Sequence, residues 1–328
     1  MKIEFNDLLG LSKPLTKLIE TISNGIGKLY EPTSIKRMAE AKATEINSIS
    51  KSMIDANLLP IKYDDGSVII DGTDYNEISQ RAQGRLAFQE IKKQANIDQT
   101  VNYAAQTLSS FNNVSDDPVD IDWVTRFFDS VADVSSEEMQ IIWGKILAGE
   151  VNQPGSFSLR TLDIVKNLSK KDAKLFTEIS PLVLCSEGTK YISSKNEVLS
   201  KYEIPYETIL HLDECGLVNS SGTLAINPII SKGNSFKVYN HEMIAFCNGK
   251  MDDEQKFTFG VHTLTSAGQE IFNIMEASSN DKYFLDVLND IGSHNKGIIS
   301  ISVHHINDVK NNNINYKLEP IQIIDFDL

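Results

Sequence analysis

Apolar residues recur at three- and four-residue steps from Leu15 through Leu18, Ile19, Ile22 and Ile26 to Leu29, the spacing of one face of an α-helix. Ser12 can cap this helix, Pro14 fits its first turn, and Glu31-Pro32-Thr33 stops it. A second amphipathic helix is predicted over SIKRMAEAKATEINSISKSM, where Ile35, Met38, Ala39, Ala43, Ile46, Ile49 and Met53 keep the same period. Asp-Gly pairs at 65–66 and 71–72 then bracket SVII, a short surface strand or hairpin. The helical period returns from Glu77 to about Phe111, with Gly84 a place for a close helix crossing. DIDWVTRFFDSVADV, EEMQIIWGKILAGE, LRTLDIVKNL and DAKLFTEIS follow as shorter helices. Ser135-Ser136-Glu137-Glu138 reads as a capping box, Gly149 as a left-handed C-terminal cap, and Ser169 to Asp172 as another cap signature. Trp123, Phe127, Phe128, Met139, Trp143, Ile146 and Leu147 are the expected core of this part.

From Pro181 the pattern changes to alternation rich in β-branched residues. TKYIS, GTLAI, FKVYN, EMIAFC, KFTFGVHTL, GIISISVHHI and YKLEPIQIIDF read as strands. The fold class expected is α+β, with amphipathic N-terminal helices (1–57), a helical domain (58–180) and an α+β domain (181–328). Within the last, YETILHLDECGLV and LTSAGQEIFNIM resemble the winged-helix pattern, in which one helix ends in Gly-Leu-Val and another starts at Leu-Thr-x-x-Gly. A strand-rich insertion separates the two pieces.

Composition narrows the function classes. With 41% hydrophobic residues in 328, the chain can bury one or two cores. No apolar run approaches the ~18 to 20 residues of a membrane-spanning helix, and the N-terminus lacks the form of a secretory signal, so a cytoplasmic protein is expected. The net charge is −14, and the negative surplus lies after Met53. An acidic body repels phosphate backbones, which disfavours nucleic acid as a partner, and the predicted helix Tyr206 to Cys215 carries acidic residues with no Lys or Arg to read DNA. Cys185, Cys215 and Cys247 are odd in number and widely spaced, implying neither a disulfide framework nor a cysteine zinc site; they read as buried apolar residues.

Motifs with chemistry are few. Gly25 to Lys28 imitates a phosphate loop, but Ile22 and Leu29 occupy positions that a Walker motif requires as Gly and Ser/Thr. His304 and His305, adjacent on a strand, point to opposite faces and make a poor pair of metal ligands, and His241-Glu242 lacks the second histidine of a zinc-protease helix. Asp252 to Lys256 reads as a solvated charge run. No nucleophile elbow and no dinucleotide fingerprint occurs, so neither catalytic residues, a metal nor a cofactor is indicated. Two candidate sites remain. One is an anion pocket from the N–H groups and side chains of Gly155, Ser156, Ser158 and Arg160, where a loop enters a helix; the alternative is that a serine caps the helix while Arg160 pairs with an acid such as Glu150. The other is the stripe Leu15, Leu18, Ile22, Ile26 and Leu29, which can pack on the domain, on a second copy or on a membrane surface.

The segments GIGKLYEPTSIKRMAEAKA, Asp122-Trp123, Arg126-Phe127-Phe128 and SSEEMQIIWGKILAGEVNQPGSFSLRTLDIVKNLSKKDAKLF resemble an uncharacterised bacterial domain, similar to the Abi-alpha abortive-infection proteins of phage defence. The resemblance implies a cytosolic helical protein with a defence role and no assigned catalytic residues. The function expected is therefore non-enzymatic, through a protein partner or self-association. The alternatives are a DNA-binding regulator acting through the winged-helix-like unit and a membrane-perturbing effector acting through the N-terminal helix.

Overall fold

A computed structural model describes residues 12–26, 61–64, 67–70, 75–111, 113–222, 224–275, 278–310 and 313–326. The second predicted helix and Leu29 lie outside the described residues. The chain divides into two compact units, 1–166 and 167–328, whereas the compositional shift comes at 180/181; the helix over 170–179 therefore groups with the sheet.

The first unit is helical. Helix α1 (Lys13–Ile26) is followed by a hairpin of β1 (Ile61–Asp64) and β2 (Ser67–Ile70), then α2 (Tyr75–Leu108), α3 (Ile121–Val131), α4 (Glu137–Asn152) and α5 (Leu159–Asn167). Asp120 starts α3 by accepting the Trp123 N–H at 2.8 Å. The α3 aromatics form the core: Trp123 stacks on Phe127 at 5.1 Å, and Phe127 meets Trp143 of α4 edge-on at 5.4 Å. The close helix crossing falls at Gly144 in α4, where an added Cβ would lie 2.5 Å from the Tyr103 Cβ of α2. The predicted capping box before α4 does not form: Ser136 is the N-cap residue, but its hydroxyl donates to Glu138 instead of accepting a backbone N–H. Helix α4 also continues through Gly149 to Asn152, which carries Glu150 into the interior.

The second unit begins with α6 (Lys170–Ile179), where Ser169 and Asp172 form the reciprocal capping box that the sequence announces. After a short 3-10 turn come β3 (Leu184–Ser186), β4 (Thr189–Ser193), α7 (Asn196–Ser200), α8 (Tyr206–Glu214), β5 (Val218–Asn219), β6 (Ala225–Ile226), β7 (Ile229–Ile230), β8 (Ser235–Tyr239), β9 (Met243–Gly249), β10 (Gln255–Lys256), β11 (Phe259–Leu264), α9 (Ser266–Phe272), α10 (Asp281–His294), β12 (Ile299–Lys310), β13 (Asn313–Tyr316) and β14 (Gln322–Asp325). The main sheet runs β13-β12-β9-β8-β3-β4-β11-β5, with β14 also on β12 and β6 also on β11. Helices thus dominate the N-terminal half and an antiparallel sheet the C-terminal half, the α+β class.

Alternation gives this sheet two faces. Val238, Ala245, Cys247, Ile301, Val303 and Ile324 are buried on one, beside the buried Phe284, Val287 and Leu288 of α10. Lys237, Phe246, Ser302 and Ile323 alternate with them on the other. The two winged-helix-like pieces meet despite their separation. Thr265 caps α9 while its hydroxyl donates to the Gly216 carbonyl at 2.6 Å, and a Cβ on Gly268 would lie 2.0 Å from the Leu217 oxygen.

Candidate functional site

Among the described residues, three metal- and proton-binding groups converge between α6 and the end of α8. His211 and Cys215 stand four residues apart on one face of α8, and Asp172 comes from the first turn of α6. His211 Nε2 lies 2.7 Å from Asp172 Oδ1 and 3.8 Å from Cys215 Sγ, and the three ligand atoms all fall within 4.8 Å of one another. The other Asp172 oxygen accepts the Ser169 N–H at 2.7 Å, so the capping box of α6 fixes the carboxylate. Burial alone would raise the Asp172 pKa, but hydrogen bonds from His211 and Ser169 outweigh it and hold the carboxyl below its usual range. Burial pushes the Cys215 thiol up, and the negative charges of Asp172 and Glu214 add to this. The arrangement is not a nucleophile–base–acid relay. In such a relay the acid and the nucleophile take opposite ring nitrogens, whereas here both face Nε2. Three donors converge on one point.

A second feature is a cleft of about 720 Å³ on the outer face of the sheet. Its floor is Ser235, Lys237, Tyr239 and Ile244, and its walls are the β3–β4 turn at Glu187-Gly188 and strand β13. The turn needs positive φ at both residues, 47° at Glu187 and 80° at Gly188, as a tight hairpin requires. A register shift between Ile306 and Asp308 bends β12, and Tyr316 of β13 then packs over the outer face, 5.0 Å from Phe246 and 5.4 Å from His304.

The chain matches the model of a family described as a protein of unknown function (DUF2806) over residues 80–288. It belongs to the DUF2806 family. No curated protein and no solved structure shows a significant match. The uncharacterised-domain part of the sequence resemblance therefore holds, while no abortive-infection family is found. The DUF2806 match spans Asp172, His211 and Cys215 and ends before β12.

The residues singled out from the sequence occupy other places in this DUF2806 chain. At the loop before α5, Glu150 accepts the Gly155 N–H at 2.6 Å and the Phe157 N–H at 2.9 Å, so one of the four candidate anion-binding residues gives its N–H to the protein's own carboxylate. Ser156 donates to the Gln153 carbonyl, Ser158 pairs with Thr161, and Arg160 is exposed. In α1, Leu18 and Ile22 are core residues of the first unit, and Leu15 and Ile26 are half-buried. The stripe is turned inward because α1 packs on α3 and α4. Gly25 serves that packing, since a Cβ there would lie 2.3 Å from Val124 Cγ1. No helix among the described residues is long and apolar enough to cross a membrane.

Of the cysteines, Cys247 is buried as expected, but Cys185 is only partly buried and Cys215 is half-exposed beside His211. Sequence reasoning missed the trio. The H-x-x-x-C spacing on a predicted helix is a legible signal, but Asp172 lies 39 positions before His211 and nothing local announces it.

Proposed function

We propose that the protein is a non-enzymatic binding protein whose C-terminal unit receives an extended segment of a partner polypeptide in the outer-face cleft, by strand addition at β13. The observation that carries this reading is an edge strand standing over a concave surface. Among the described residues β13 pairs only with β12, at one end of the sheet. The Lys317 N–H donates to the His305 carbonyl at 2.9 Å, so by alternation Asn313 and Asn315 face β12 while Ile314 and Tyr316 turn their backbone groups to the open side. A peptide strand added there gains main-chain hydrogen bonds, and its alternate side chains enter a cleft offering Tyr239, Tyr316, Lys237 and Glu187. Aromatic faces and one charge of each sign suit a mixed peptide.

The test is selection from a random-peptide display library on the purified full chain, followed by solution affinities for the selected peptides. Ile314→Pro removes an outward N–H and no ladder bond, a position at which an edge strand tolerates proline. Selected peptides should bind the native chain and lose more than about tenfold in affinity to this variant, the worth of roughly one to two hydrogen bonds. Equal binding by both proteins, or no enrichment of any peptide, would overturn the reading.

A further inference from the structure

We infer that Asp172, His211 and Cys215 form a binding site for a borderline-soft divalent cation of the zinc type, with a fourth coordination position open to solvent. The inference rests on the placement of three ligand atoms of three kinds. In a tetrahedral zinc site with bonds of about 2.0 Å to nitrogen or oxygen and about 2.3 Å to sulfur, the edge from nitrogen to oxygen is about 3.3 Å and the edge from either to sulfur about 3.5 Å. The Nε2 to Sγ separation is 3.8 Å, which closes by about 0.3 Å on a metal. The Nε2 to Oδ1 separation of 2.7 Å is that of a hydrogen bond, and it opens by about 0.6 Å when a metal replaces the shared proton.

Donor chemistry selects the ion. Thiolate and imidazole favour zinc-like ions over magnesium or calcium, which take oxygen ligands. A carboxylate and a thiolate balance a divalent charge. Binding releases the Cys215 thiol proton, and the His211 proton moves from Nε2 to Nδ1 so that the Nε2 lone pair meets the metal. The support that metal sites require around their ligands is present, because the second Asp172 oxygen is held by the Ser169 N–H. His211 keeps 38% of its side chain exposed, which gives the ion a way in and leaves the fourth position to water or to a donor from elsewhere.

The test uses the full chain, stripped with a chelator and titrated with Co²⁺ alone. Tetrahedral cobalt with one thiolate should give a near-ultraviolet charge-transfer band and strong visible bands at one equivalent, both erased by stoichiometric Zn²⁺. Cys215→Ser should remove the charge-transfer band, and His211→Gln should weaken binding by more than about tenfold, at least what the loss of an outer-shell partner costs. Cys185→Ser and Cys247→Ser should leave the spectrum unchanged. Both Cys215→Ser and His211→Gln alter side chains at least partly open to solvent, and circular dichroism confirms that each variant folds. No charge-transfer band on the native chain, or a band that persists in Cys215→Ser, would overturn the site and leave the trio as a hydrogen-bonded tie between α6 and α8.

Discussion

Replacing Glu150 by alanine should destabilise the first unit by about 3 kcal/mol. Glu150 is 2% exposed, and its carboxylate accepts two backbone N–H groups. The Phe157 N–H is buried, and leaving it without an acceptor costs about 2 kcal/mol; the Gly155 N–H belongs to an exposed residue that water can reach, and its loss costs about 1 kcal/mol. Trp123 reads the damage directly, because its indole N–H donates to the Phe157 carbonyl at 2.7 Å. Both tryptophans, Trp123 and Trp143, lie in the first unit, so tryptophan fluorescence during urea unfolding reports that unit alone. With a denaturant slope of about 2 kcal/mol per molar, the midpoint should fall by about 1.5 M. Glu150→Gln keeps one acceptor oxygen and should lose roughly half as much. The same geometry predicts chemical rescue: acetate, against chloride at equal ionic strength, should restore part of the lost stability in Glu150→Ala and none in the native chain. A loss below about 0.5 kcal/mol, within the range of ordinary surface substitutions, would refute the assignment of Glu150 as the internal occupant of this loop.

Gly144→Ala gains about 1 kcal/mol in helix propensity but drives a Cβ to 2.5 Å from the Tyr103 Cβ and 3.0 Å from the Ala104 nitrogen, so a net destabilisation of roughly 1 to 2 kcal/mol should appear in the same fluorescence assay. His262 is buried with no hydrogen-bond partner on either ring nitrogen among the described residues; burial holds its pKa below the usual value, and Asp213 only partly opposes this. A folded-state pKa below the unfolded one means that its contribution is fully present above about pH 6.5 and is lost as pH falls. His262→Leu should therefore flatten the acid-side decline in β11 amide protection measured by hydrogen exchange, and an unchanged slope would contradict the burial argument. Complete burial pushes the Cys247 thiol up to about 12, so a thiol reagent at pH 8 should leave Cys247 unlabelled in the native chain and reach it only on unfolding; rapid native labelling of that residue by mass spectrometry would count against it.

What could be read from the sequence follows the range of the interactions involved. Periodicity located α1, α3, α4 and most strands because burial on one face repeats at 3.6 or 2 residues wherever an element meets a core. The Ser169–Asp172 box was legible because both partners lie within one turn, whereas the similar string at Ser135 to Glu138 gave a different bond: Glu138 competes for the Ser136 hydroxyl. The Gly-Leu-Val and Leu-Thr-x-x-Gly pieces carried information across their insertion, since Gly216 turns the chain at φ 76° and offers its carbonyl to Thr265, while Gly268 leaves room for the Leu217 carbonyl. The candidate sites were less legible. The stripe from Leu15 to Ile26 shows only that a face needs covering, and the cover proved to be α3 and α4. The loop at Gly155 shows only that its N–H groups need acceptors, and two of them, those of Gly155 and Phe157, find one in Glu150 on the preceding helix.

Leu18 and Ile22 packed in the core of the first unit, and Glu150 bonded to the Gly155 and Phe157 N–H groups, are tied into the fold, and disturbing any of them should register as lost stability. The β13 edge and the trio at His211 are different in kind. Ile314 and Tyr316 turn backbone groups outward over a cleft, and one histidine nitrogen faces two further ligand atoms at a partly solvent-exposed side chain. Asp172 also holds the capping box of α6, so the discriminating substitutions are Ile314→Pro, His211→Gln and Cys215→Ser. These should change what the protein binds while leaving the unfolding transition of the metal-free chain nearly in place.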